Sequence, residues 1–142
     1  MIGMIVTGHG SYATGITSGL KLLAGEPENY EPVDFQEDDS LEILTGKLAA
    51  AAERLSQCTG ILIYADLTGG SPFNVSVRMK MERPGKIVVI GGANLPAVLE
   101  GYMSRDSMDS ASEIAVEILT AGKNAMMLFG ESTVPEGDYE EL

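Results

Sequence analysis

At 142 residues the chain makes one domain, long enough to bury a sizeable core. An apolar fraction of 44% with 21% charged residues is that of a globular protein, and no apolar run approaches the roughly 18 residues of a membrane span. The formal charge of −12, with no basic stripe, excludes a nucleic-acid backbone as ligand, and the lone Cys58 forms no internal disulfide, which suits a reducing cytoplasm.

In chain order, Met1 to Val6 is apolar without a basic leader or cleavage site, so Ile2 to Thr7 reads as a buried first strand closed by Gly8. Ala13, Ile16, Leu20 and Leu23 recur at helical spacing, and Gly25 ends that helix. Pro32 to Phe35 is a short second strand. Ser40 is an N-cap for a helix with the apolar face Leu41, Leu44, Leu48, Ala52 and Leu55. Ile61 to Ala65 is the third strand and runs into Asp66. Ser71-Pro72 opens the next helix, with Ser as cap, Pro first in the helix, and a face of Phe73, Val77 and Met81.

Pro84-Gly85 breaks the chain before a fourth strand, Ile87 to Ile90. A helix starts at Asn94-Leu95-Pro96 and runs through Met103. Ser110 to Glu113 is a capping box before Ile114, Ile118 and Leu119, Gly122 stops that helix, and Ala125 to Phe129 is a last apolar strand. Residues 131–142 hold five acids and no base and form an acidic flexible tail, so −7 remains on a domain spanning residues 1–130. That surface attracts a protein with a basic docking face.

Four strands, each followed by a helix, give an α/β fold: a doubly wound parallel sheet with right-handed crossovers and helices on both faces. The fifth strand has no parallel crossover left and belongs on a sheet edge or against a second copy. In such folds the site lies at the carboxyl ends of the strands. Three loops leave that edge: Thr7-Gly8-His9-Gly10-Ser11, Asp66 to Pro72, and Gly91 to Pro96.

His9 is the only histidine, and a histidine needed for packing gains nothing from a glycine on each side. The first and third strands of a doubly wound sheet are commonly neighbours, which brings Asp66 beside His9. Asp66 then accepts the imidazole Nδ1–H and leaves Nε2 as nucleophile. Gly69, Gly70 and Ser71 free backbone N–H groups at a helix N-terminus, the donors a phosphoryl group on His9 needs. Two other patterns compete. Gly8 to Ala13 fits G-x-G-x-x-A with Asp34 as a ribose-binding acid, but a histidine inside the fingerprint crowds the pyrophosphate. Gly10 to Thr17 has the outline of a P-loop but carries Ile16 where the lysine must stand.

The three loops together, Thr7 to Ala13, Asp66 with Gly69-Gly70-Ser71-Pro72-Phe73-Asn74, and Gly91 to Pro96, resemble the enzyme IIA domains of the mannose family of the bacterial sugar phosphotransferase system. The resemblance spans about residues 1–130. It implies a protein-histidine phosphotransferase in which His9 accepts a phosphoryl group from HPr and passes it to enzyme IIB, with Asp66 orienting the ring and Gly70 with Ser71 facing the phosphate. No metal or other cofactor is implied, and the membrane is met only indirectly, through the transporter. It also implies a cytoplasmic homodimer whose C-terminal antiparallel strand, here Ala125 to Phe129, crosses to the partner. Leu67-Thr68 fills positions that vary in the family. The remaining alternatives are a dihydroxyacetone kinase phosphotransfer subunit, a nucleotide-binding module without transfer activity, and a regulatory protein that no longer passes the group on.

Overall fold

A computed structural model describes residues 1–107 and 110–130. In chain order the elements are β1 (Ile2–His9), α1 (Tyr12–Ala24), β2 (Tyr30–Phe35), α2 (Leu41–Arg54), β3 (Gly60–Ala65), α3 (Ser71–Glu82), β4 (Ile87–Ile90), α4 (Leu95–Ser104) and α5 (Ala111–Ala125), with a 3-10 turn at Arg105–Ser107. The strands form one parallel sheet in the order β2-β1-β3-β4. The order reverses between β1 and β3, and those strands pair from Ile2↔Gly60 to Thr7↔Ala65.

Alternation along the strands sorts the core into two layers. Ile2, Met4 and Val6 of β1, with Leu62 and Tyr64 of β3, pack against α1, α4 and α5 through Leu20, Val98, Ile114 and Ile118. Ile5, Ile61 and Ile63 face α2 and α3 through Leu44, Leu48, Val75 and Met79. Burying each of these large aliphatic side chains contributes about 1.5–3 kcal/mol. Continuing the alternation from Ile5 through Thr7 puts His9 on the α2–α3 face. The far end of the sheet is tied by Arg105, which is buried. Its guanidinium donates to the carbonyls of Ile2 and Asn29, both at 3.1 Å, and to that of Glu28, and it lies over the Tyr102 ring.

Several local expectations are corrected. Ser40 caps α2 by accepting from the Ile43 N–H, but Leu41 is half exposed. In α3, Gly70 rather than Ser71 stands at the N-cap, and Pro72 is inside the first turn. Burial of Pro72 sets the phase of the helix, so Val75, Ser76 and Met79 form its inner face and Met81 is exposed. Ser76 tolerates burial because its hydroxyl donates to the Pro72 carbonyl at 2.7 Å. Ser110 takes the N-cap of α5 without a side-chain bond.

Gly122 does not end α5, which continues to Ala125. A Cβ there would lie 3.1 Å from the Ala97 Cβ, so glycine lets α5 approach α4 closely, and its carbonyl accepts from Asn94 Nδ2 at 2.9 Å. The fifth strand is absent among the described residues: Ala125 closes the helix and Met126 to Leu128 has no regular structure. Met126 is extended, at φ −81° and ψ 121°, but no neighbouring strand within the chain reaches it to complete a ladder. The acidic tail at 131–142 lies outside the described residues.

Candidate functional site

His9 ends β1, and the adjacent β3 runs directly into Asp66. Asp66 Oδ2 accepts from the His9 backbone N–H at 2.9 Å and from Nδ1 at 2.9 Å, with Oδ1 3.2 Å from Nδ1. A carboxylate offers only acceptors, so Nδ1 carries the hydrogen and the Nε2 lone pair is left for chemistry. The His9 side chain is 46% accessible while that of Asp66 is 16%, so the ring is open to a partner and its anchor is sheltered. Phe35, at the end of β2, meets the imidazole edge-on with ring centroids 5.9 Å apart.

The glycines act mainly by leaving space. A Cβ at Gly70 would lie 2.8 Å from His9 Cε1, so only glycine lets the loop back the ring this closely. Gly70 does not offer its own N–H, which donates to the Leu67 carbonyl at 3.1 Å in a turn. Gly69 takes φ +88° at the loop tip, where an L side chain is strained, and its carbonyl is held by Asn74 Nδ2 at 3.0 Å. The first amide bonded back within α3 is Asn74, to the Gly70 carbonyl, which leaves the Ser71 and Phe73 amides at the open helix end.

Gly8 is equally constrained: a Cβ there would come within 2.5 Å of the Tyr12 ring and 2.8 Å of Asp66 Cγ. The competing dinucleotide reading loses its acid here. Asp34 accepts from the Thr14 amide at 3.1 Å and from the Thr14 hydroxyl, sealing the first turn of α1. The structure thus brings His9, Asp66, Gly69, Gly70 and Ser71 to one place, and adds Phe35, Tyr12 and Asn74. Of these, Tyr12 and Asn74 carried a sequence signal, as members of the Thr7 to Ala13 and Gly-Gly-Ser-Pro-Phe-Asn runs, and Phe35 carried none beyond ending a strand.

Tyr12 is held up at about 12, above the usual tyrosine value, first by burial and then by the negative charge of Asp66. Beside the site, Leu67 is 57% exposed and presents an apolar side chain to any docking protein. No helix among the described residues is long and apolar enough to cross a membrane, and no group of three or more His, Cys, Asp or Glu is placed to hold a metal ion.

The sequence matches the family model described as PTS system fructose IIA component over residues 3–119. It is 30% identical over 125 residues to the PTS system mannose-specific EIIAB component of Escherichia coli (strain K12), covering 88% of this chain but only 38% of that protein's length. With the PTS system sorbose-specific EIIA component of Lacticaseibacillus casei it shares 29% identity over 116 residues, 82% of each chain. The crystal structure of phosphotransferase system component EIIA from Streptococcus agalactiae superposes with a TM-score of 0.85 at 30% identity, over 91% of this chain and 98% of that one. The mannose/sorbose specific IIA subunit from Enterococcus faecalis gives 0.80 at 26% identity, over 99% and 97%. With the match covering most of its length, the chain belongs to the mannose-type EIIA family of the sugar phosphotransferase system.

Proposed function

We propose that the chain is a phosphoryl carrier, in which His9 takes the group from the phosphohistidine of HPr and passes it to a histidine of enzyme IIB for the uptake and phosphorylation of a sugar. The observation that carries this is the imidazole itself: Nδ1 is fixed on Asp66 at 2.9 Å while the accessible ring offers Nε2 beside the open N-terminus of α3.

In the forward step the Nε2 lone pair attacks phosphorus in line with the leaving imidazole. The new P–N bond forms as the donor's P–N bond breaks, and the electron pair returns to the donor histidine. Nδ1 keeps its hydrogen throughout, and the Asp66 carboxylate offsets the positive charge that the ring gains. The phosphoryl oxygens meet the Ser71 and Phe73 amides, where the helix dipole favours an anion. Transfer onward is the same displacement reversed, so placement dominates and little covalent assistance is needed.

The family resemblance also carries the homodimer. The exposure of Met126 and Leu128, 86% and 62%, supports a C-terminal segment completed by a second copy. Incubation with phosphoenolpyruvate, enzyme I and HPr should give an acid-labile phosphate that His9→Ala abolishes, on a species sedimenting at twice 15.0 kDa. An unlabelled wild type would end the carrier reading, and a monomer would end the dimer reading alone.

A further inference from the structure

The Gly91 to Pro96 loop stands at the functional edge, yet its hydrogen bonds go to residues other than His9. Its contacts are with the residues behind the site. The Ala93 N–H donates to the carbonyl of Ala65, the residue immediately before Asp66, at 3.0 Å. The Ala93 carbonyl accepts from the Tyr12 hydroxyl. The Tyr12 ring in turn comes together with the Asp66 carboxyl over Gly8, where a Cβ would be 2.5 Å from the first and 2.8 Å from the second. The circuit is closed: Asp66, Ala65, Ala93, Tyr12, and back to Asp66.

Further contacts stiffen the loop. Asn94 caps α4 through the Ala97 amide at 3.0 Å and is pinned to Gly122 of α5. The empty side of Gly91 is filled by the Thr68 hydroxyl and the Phe73 ring. The loop that carries Ala93 is therefore tied to α1, α4, α5 and the Asp66–Pro72 loop at once.

We infer that Tyr12 is a positioning residue: braced by Ala93, its ring walls in the Asp66 carboxylate and so holds His9 in the Nδ1–H tautomer that leaves Nε2 free. The physical reason is that an unrestrained neutral histidine side chain prefers its hydrogen on Nε2, which would remove the attacking lone pair. Reversing that preference needs an acceptor fixed at Nδ1. A carboxylate on a solvated loop end turns and hydrates. Here the partly buried Tyr12 ring and the Asp66 carboxyl both crowd the space over Gly8, while His9 takes the carboxylate oxygens. The Tyr12 hydroxyl is pushed up first by burial and then by the Asp66 charge, and the second cause agrees with that closeness.

The inference rests on the carrier reading only for its kinetic consequence, since the tautomer belongs to the unphosphorylated protein. The test is nitrogen-15 NMR of neutral His9, together with single-turnover transfer from phosphorylated HPr. In the wild type Nδ1 reads as protonated. Tyr12→Leu should shift the population toward Nε2–H and slow transfer on the order of tenfold, with circular dichroism unchanged. Tyr12→Phe keeps the wall, releases Ala93, and should move both readouts the same way by less. A folded Tyr12→Leu with the wild-type tautomer overturns the inference. Should Tyr12→Leu fail to fold, an unchanged tautomer in Tyr12→Phe does the same. A tautomer shift in a protein that never accepts phosphate leaves the positioning role standing and sinks the carrier reading instead.

Discussion

Two helices begin beside His9, and their N-termini are treated in opposite ways. α1 starts with Ser11 at the N-cap making no side-chain bond, but Asp34 of β2 reaches in to take the Thr14 amide and hydroxyl. α3 starts with Gly70 at the N-cap, no acidic residue in its first turn, and no side chain on its leading amides. Each helix presents a partial positive charge of roughly half a unit there. In α1 the fold has already supplied the anion. In α3 the place is open, and the proposed carrier role would fill it with a phosphoryl group that arrives and leaves. A helix N-terminus is thus no site by itself, and the position of nearby carboxylates decides where a travelling phosphoryl group is received.

Breaking the anchored side has the largest expected effect. Asp66→Asn keeps the shape but presents an amide to Nδ1, and transfer to His9 should fall at least about a hundredfold in single-turnover measurements. Gly70→Ala comes next. Its Cβ meets His9 Cε1 at 2.8 Å, so the ring must swing away from the open helix end and transfer should drop on the order of tenfold to a hundredfold with the melting temperature little changed.

Asp34→Ala sharpens the comparison from the other helix. Loss of this cap should cost about 1 kcal/mol in denaturant unfolding and leave transfer at the wild-type rate. Titration with inorganic phosphate should shift the Ser71 and Phe73 amide resonances in the wild type. The amides of α1 should respond only once Asp34 is removed, and equal responses at both helices in the wild type would erase the distinction.

The smallest effect is alkaline. Because Tyr12 holds its proton up to about 12, and the unfolded chain releases it near 10, the native state binds more protons between those values. The stability this contributes is present below about pH 10 and is lost as pH rises through about 12. Ultraviolet titration of the tyrosines should show it. In Asp66→Asn the Tyr12 transition should move down yet stay above 10, since burial is the larger cause.

Much of this arrangement is legible from residue order. The four strands are short apolar runs with breakers between them, and the rule that sites gather at strand ends was enough to join His9 to Asp66 across β1 and β3. What escaped was set by contacts distant in sequence. Asp34 looks like a ribose ligand until Thr14 is seen to occupy it, and the bond from Tyr12 to Ala93 joins the loops after β1 and β4 across β3. Gly70 reads as a phosphate donor, whereas its N–H is spent in a turn and its bareness serves the ring. Gly122 carries a stop signal that packing against Ala97 overrides. Ala125 to Phe129 has strand composition, and the neighbour such a strand requires is the second copy that the proposed dimer would supply.

The Arg105 tie at the far end has a consequence for acid. Its partners are three backbone carbonyls, which do not titrate, and among the described residues no carboxylate shares the guanidinium. The fastening of Asp39 on Lys47, beyond the carboxyl end of β2, is of the other kind, because the ammonium holds the Asp39 carboxyl below its ordinary range. Acid therefore reaches the two ends of the sheet differently: what the Asp39–Lys47 pair contributes is lost as pH falls through the lowered Asp39 value, while the Arg105 knot at the base holds no group that titrates with it.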